Sequence, residues 1–139
     1  MKKLMNVTLI FVLLAGFANA KPSLDKIDTA ISGYVQALKS DNAGLRHSAL
    51  YQLAMIKSEY PEINFDYVDR QLERMSKKDD FNLIRLHANL TRAYLQDSDL
   101  QAKVKVEKSD DPVDFFKNLS REIETSYAET YVKEAVSSK

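Results

Sequence analysis

Two histidines, His47 and His87, a serine beside the first of them and 20 Asp and Glu residues are the side chains of this 139-residue chain that could do chemistry. A hydrolytic centre needs a Ser, Thr or Cys nucleophile beside a base that a third group holds in place. Ser48 follows His47 directly, but adjacent residues on a helix point in different directions and make no dyad. The chain carries no G-x-S-x-G, no phosphate-cradling glycine loop and no H-E-x-x-H. It has no Cys, and two His residues cannot assemble the usual nitrogen and sulfur zinc sets, so neither a metal nor a cofactor is expected. Asp79-Asp80, Asp97/Asp99 and Asp110-Asp111 would suit calcium or acid/base work, yet each stands at a helix boundary, where capping accounts for it. Asp97-Ser98-Asp99 also lacks the turn glycine and closing Glu of a calcium loop. No catalytic residue is assigned. The catalytic alternative is a small hydrolase or ligand-binding helical domain using His87 with nearby carboxylates and tyrosines. Against it, His87 falls among Leu83, Ile84, Leu90 and Tyr94, where a packed histidine is the ordinary outcome, and His47 sits in a first helical turn with the same expectation.

The elements that must position these residues are helices. Breakers are few: after residue 20 the chain has Gly33 and Gly44, and prolines at 22, 61 and 112, which mark boundaries. The spacing of Ile27, Ile31, Tyr34, Val35 and Leu38 predicts a first helix over about 23–39, with Ser23 as its cap. A second, over about 43–59, carries Leu45, Ala49, Leu50, Leu53, Ala54, Met55 and Ile56, enough to be buried nearly all round. Tyr60-Pro61 ends it. Asn64 reads as the cap of a third helix, with Ile63 and Val68 as its staple, and Val68, Leu72 and Met75 as its buried face. Asp79-Asp80 opens a fourth with Leu83, Ile84, Leu90, Tyr94 and Leu95, and Asp97-Ser98-Asp99 stops it. Residues 98–110 read as an extended connector, because Lys103-Val104-Lys105-Val106 alternates but a lone strand has no partner. Asp111-Pro112 starts the longest helix, whose stripe of Phe116, Leu119, Ile123, Tyr127 and Tyr131 runs to about 136.

Ahead of these helices, Lys2-Lys3, the apolar run Val7 to Phe17 and the ending Ala18-Asn19-Ala20 have the order of an export signal cleaved after Ala20. The apolar run is about half the roughly 20 residues that a spanning helix needs. The style is bacterial and gives a periplasmic or extracellular destination, with no membrane insertion after cleavage. The domain arrangement is then a signal over 1–20 and one helical domain over 21–139. Without Lys2 and Lys3, 18 basic residues face 20 acidic ones, so no nucleic-acid surface or polybasic membrane patch is indicated. In the absence of disulfides, packing alone must hold the domain. The sequons Asn89-Leu90-Thr91 and Asn118-Leu119-Ser120 fall inside predicted helices and read as chance matches.

Laying the second helix over the fourth aligns Leu45-Arg46-His47-Ser48-Ala49 with Ile84-Arg85-Leu86-His87-Ala88, 39 residues apart. Each reads aliphatic, Arg, two free positions, Ala. The preceding helices align Ile31, Val35 and Leu38 with Val68, Leu72 and Met75, and a spacing near 40 is that of solenoid repeats. Here residues 24–97 resemble the HEAT-like, armadillo-type helical repeat family, in two degenerate copies. The resemblance implies an acidic and arginine ladder between copies, supplied by Asp41 and Asp79 or Asp80 with Arg46 and Arg85, so that Arg46, Ala49, Arg85 and Ala88 are repeat-structural. After Asp97 the pattern fails, which leaves the last helix as a cap or packing arm. The fold class is all-α: two HEAT-like helix pairs, as a short α-solenoid or helical bundle, plus a long C-terminal helix. Arg85, Asn89, Arg92 and Gln96 follow i, i+4, i+7, i+11 and form a polar stripe, the candidate partner-binding surface if second helices line the inner wall. The functional expectation is an exported, non-catalytic protein-interaction module of the bacterial cell envelope, whose partner is another envelope or secreted protein. A purely structural protein that homo-oligomerises through the stripe of its last helix is a further possibility.

Overall fold

The computed structural model describes residues 21–107 and 111–138. The expected export signal, Asp110 and the final residue lie outside them. Among the described residues the regular structure is entirely helical: α1 Leu24–Ala37, α2 Ala43–Glu59, α3 Asp66–Lys78, α4 Asn82–Gln96, α5 Ser98–Lys103 and α6 Pro112–Ser137.

Local chemistry explains most of the boundaries. Asn42 Oδ1 accepts from the Leu45 N–H at 3.2 Å and opens α2, while Asp111 accepts from Val113 at 2.8 Å and opens α6 with Pro112 in first position. Each cap satisfies one of the backbone donors that a helix start leaves without a partner. Ser23 stands at the cap position of α1 but makes no side-chain cap. Two starts fall later than the pattern predicts. Asn64 Oδ1 accepts from Asp66 N at 2.6 Å and Asp79 Oδ1 from Phe81 N at 3.1 Å, two-residue side-chain turns that put Phe65 and Phe81 at the cap positions of α3 and α4.

The expected extended connector over 98–110 is corrected in its first half. Asp97 Oδ1 accepts from Asp99 N and Leu100 N at 2.9 and 3.1 Å, so the residue expected to stop one helix also starts the next, the short α5. Residues 104–107 are non-helical and begin extended at Val104, with Val104 and Val106 buried and Lys105 exposed. They need no strand partner because side chains satisfy the backbone: Tyr94 OH donates to Val104 O at 2.8 Å, Tyr51 OH to Glu107 O at 3.3 Å, and Val106 N to Ser58 Oγ at 3.3 Å. Gln101 Nε2 adds a bond to the carbonyl of Tyr94 at 2.7 Å.

Helix α1 packs on α2, α3 on α4, and α2 on α4, which joins the two pairs. As its composition predicts, α2 is enclosed on most sides, burying Ala49, Leu50, Tyr51, Leu53, Ala54 and Ile56. The α6 helix lies on α4 and α5 through Phe115, Phe116 and Leu119, which are buried, with Ile123 partly buried beside them. Burying each such side chain contributes roughly 2 to 3 kcal/mol. Farther along, α6 leaves the core, and Tyr127 and Tyr131 are 75% and 76% exposed.

Candidate functional site

The two histidines, 40 residues apart in sequence, are brought together where α2, α4 and α6 meet. His47 Nε2 and His87 Nδ1 are 2.8 Å apart, a hydrogen bond that one neutral ring donates and the other accepts. The Phe116 ring stacks on His87 with centroids 4.0 Å apart and planes at 11°, and it touches His47 at 5.6 Å. His87 is 6% exposed. Burial, reinforced by the neighbouring charge of His47, pushes the His87 imidazole down to about 4. Burial also lowers His47, opposed by the carboxylate of Asp111. Both rings are therefore neutral at pH 7. No carboxylate among the described residues is hydrogen-bonded to either ring, and Phe116 covers one face of His87. Ser48 lies outside this contact. The arrangement suits a packed polar pair that registers three helices against one another.

Arg46 and Arg85 are both committed to the turn between α3 and α4. Arg46 makes a two-pronged ion pair with Asp79, Nε to Oδ2 at 2.8 Å and NH2 to Oδ1 at 3.0 Å, and its NH1 donates to the carbonyl of Ser40 at 2.9 Å. Arg85 NH1 donates to the carbonyl of Asp79 at 2.5 Å and NH2 to Asn82 Oδ1. In each case Arg reaches the carbonyl six residues before it, and the two bonds stand 39 residues apart. Ala49 and Ala88 are buried at the same offset, 1% and 0% exposed. Burial works to raise the Asp79 carboxyl, but the Arg46 hydrogen bond, the Phe81 N–H and the charges of Arg46 and Arg85 outweigh it and hold it below its ordinary value.

The polar stripe of α4 divides in the same way. Arg92 grips Asp69 of α3, Nε to Oδ1 at 2.6 Å and NH2 to Oδ2 at 3.0 Å, and Gln96 Nε2 donates to the same carboxylate at 2.5 Å. Three of its four members thus hold α4 to its neighbours, and Asn89 is left exposed to solvent. The cleft beside them, about 310 Å³, is lined by Lys57, Asn64, Asp69, Arg92 and Gln96. Lys57 is itself spent on the carbonyls of Pro61 and Ile63, at 2.7 and 2.8 Å, where it closes the end of α2.

A different surface stands open. The predicted stripe of α6 breaks in two, because Phe116, Leu119 and Ile123 pack on the core whereas Tyr127 and Tyr131 do not. Val132 and Val136 are also exposed, at 59% and 70%, as are Ala128 and Ala135. Taking 100° per residue, the core-facing direction passes through Phe116, Leu119, Ile123 and Ser126; Ala128, Val132, Ala135 and Val136 fall on the far side, Tyr131 on the flank, and Tyr127 next to Phe116 at the edge of the core-facing side. On the far side the residues before them are Lys117, Asn118, Arg121 and Glu124, so the outward face turns from charged to apolar at Ala128. Reading for one stripe at i, i+4 spacing missed Ala128, Val132, Ala135 and Val136. The available signal was the paired rhythm Tyr-Ala, Tyr-Val, Ala-Val at four-residue steps.

Comparison of the chain with protein-family models, with curated proteins and with solved structures finds no match.

Proposed function

We propose that this chain is a non-catalytic protein-interaction module of the bacterial cell envelope, exported by residues 1–20 and engaging another protein through its helical surface. The observation that carries the reading is the outer half of α6, where Tyr131 and Val132, 76% and 59% exposed, form one apolar strip with the exposed Ala128 and Ala135 between them. Apolar side chains scattered singly over a surface are ordinary, but a contiguous patch flanked by polar residues is the mark of an interaction site. The commitment of both histidines and of three of the four stripe residues to internal contacts supports the same reading. The two pairs α1–α2 and α3–α4 are read as HEAT-like copies, supported by the recurrence of the arginine-to-carbonyl bond and of the buried alanine at a 39-residue offset. In this architecture the body is a rigid platform and α6 is the element that reaches out. The test is crosslinking and pull-down of the tagged protein from envelope extract, compared with a Tyr131→Glu variant. Enrichment of a defined protein by the parent and its loss in the variant is expected. Reproducible failure to enrich any protein, the chain itself included, sinks the proposal.

A further inference from the structure

The histidine pair accommodates one added proton but not two. While both rings are neutral, a single N–H lies between His47 Nε2 and His87 Nδ1, 2.8 Å apart. A first added proton goes to an outer ring nitrogen and leaves that bond in place, now strengthened by charge. Asp111, the cap of α6, favours that charge on His47. A second proton makes every ring nitrogen a donor, so two N–H groups face each other across the same gap and the rings must part. The face of Phe116, stacked 4.0 Å from His87, attracts a cation and offsets part of the cost of charging that ring, but it does nothing for the clash between the two imidazoles. The arginines that neighbour the pair in sequence are spent elsewhere, Arg46 on the Asp79 carboxylate and Arg85 on the Asp79 carbonyl. Among the described residues no Asp, Glu, Lys or Arg is hydrogen-bonded to either imidazole.

What yields when the rings part depends on how each helix is held. Helices α2 and α4 pack on each other, and each is tied to α3 or its closing turn by a two-pronged ion pair, Arg46 with Asp79 and Arg92 with Asp69. Helix α6 is held by Phe115, Phe116 and Leu119, by the partly buried Ile123 and by one surface ion pair, Lys103 with Glu122 at 2.8 Å. His47 is half-buried and can turn its charge toward water. His87 is 6% exposed and gains water when Phe116 lifts away. We propose that the His47–His87 pair is an acid-sensitive latch for α6: a second proton on the pair frees residues 115–123 of that helix from α2 and α4, while the pairs α1–α2 and α3–α4 stay folded. Release is a rise in the population of an opened form, because burial of three large side chains still favours the docked one. The latch works whatever the outer half of α6 engages.

Native-state hydrogen exchange on the whole chain tests this, because protection factors corrected for the pH dependence of the exchange chemistry report opening equilibria. Between pH 7 and 5 carboxylates remain largely ionised and histidines are the groups that change charge. Over that interval the amides of residues 116–123 should lose protection by roughly 20-fold or more, the ratio for a ring that titrates near 6.5 when freed and about 4 when docked. At both pH values they should exchange faster than the buried Ile31 of α1 and Leu72 of α3. In His87→Phe, which keeps a ring in the stack, most of the slope should vanish. Protection in α6 equal to that at Ile31 and Leu72 overturns the latch, since the opening is then global. Lower protection in α6 with no pH slope overturns it as well, because the helix then opens without freeing the histidines. A slope that survives in His87→Phe assigns the effect to other groups and has the same consequence.

Discussion

His87, a residue type that suggests catalysis, is buried against Phe116 and His47 in this fold. An imidazole free in an unfolded chain titrates near 6.5, whereas burial and the charge of His47 bring His87 down to about 4 in the folded protein. Between those values the unfolded chain binds a proton that the folded one refuses. Stability is therefore complete above about pH 6.5 and declines as pH falls toward 4, by about 3 kcal/mol at most. Urea midpoints at half-unit steps should trace that decline, and His87→Phe should flatten most of it; a parent midpoint constant from pH 7 to 4.5 would contradict the account. Asp79 works in a lower window, because its depressed carboxyl adds stability that is lost only as pH falls below the ordinary carboxylate range. The two ion pairs differ in worth. The side chains of Arg46 and Asp79 are 11% and 6% exposed, those of Arg92 and Asp69 31% and 26%. Asp79→Ala leaves Arg46 buried without its counter-charge and should cost about 3 kcal/mol, while Asp69→Ala should cost about 1 kcal/mol or less. Equal losses in chemical denaturation would show that burial is not what sets them apart.

Among the elements, α6 is one continuous helix with two environments. Its first half supplies Phe115 and Phe116, which make ring contacts with Tyr51, Tyr94 and the histidines at 4.0–5.6 Å, and its second half, from Tyr127 on, is exposed. Phe116→Ala should therefore destabilise the fold by about 3 to 5 kcal/mol, the range for deleting a buried ring. Tyr127→Ala, by contrast, should change it by no more than about 0.5 kcal/mol, as for exposed positions. Thermal melts at low protein concentration separate the two, and a large loss at Tyr127 would mean that the outer half is packed in solution. The same helix shows the reach of sequence periodicity. Its start at Asp111-Pro112, its length and its apolar spacing are all local properties, and the pattern predicts them. The place where the stripe passes from core to solvent depends on where α4 and α5 end, which α6 does not encode. The α5 helix is the converse case, since Asp97 could end one helix or begin another, and the fold pairs its cap bonds to Asp99 and Leu100 with the burial of Leu100 and Gln101.

For the whole molecule, the core closes among α1 to α5 and the first half of α6, so the body should fold without the projecting arm. A chain ending after Glu124 should keep its melting temperature within a few degrees at micromolar concentration, because a change of 1 kcal/mol shifts a domain of this size by about 4 to 8 °C or less. A drop well beyond that would place the arm inside the folding unit. The amino-acid sequence by itself determined the all-helical class, the burial of α2 and the cap at Asp111, because each depends on residues within a turn or two of one another. Only the tertiary structure decided where the functional candidates lie and what they contact. It joined His47 to His87, tied Arg46 to Asp79 across 33 residues, spent Arg92 and Gln96 on Asp69, and left the arm of α6 uncovered. Those outcomes turn on which side chains distant in sequence become neighbours, and no local spacing carries that information.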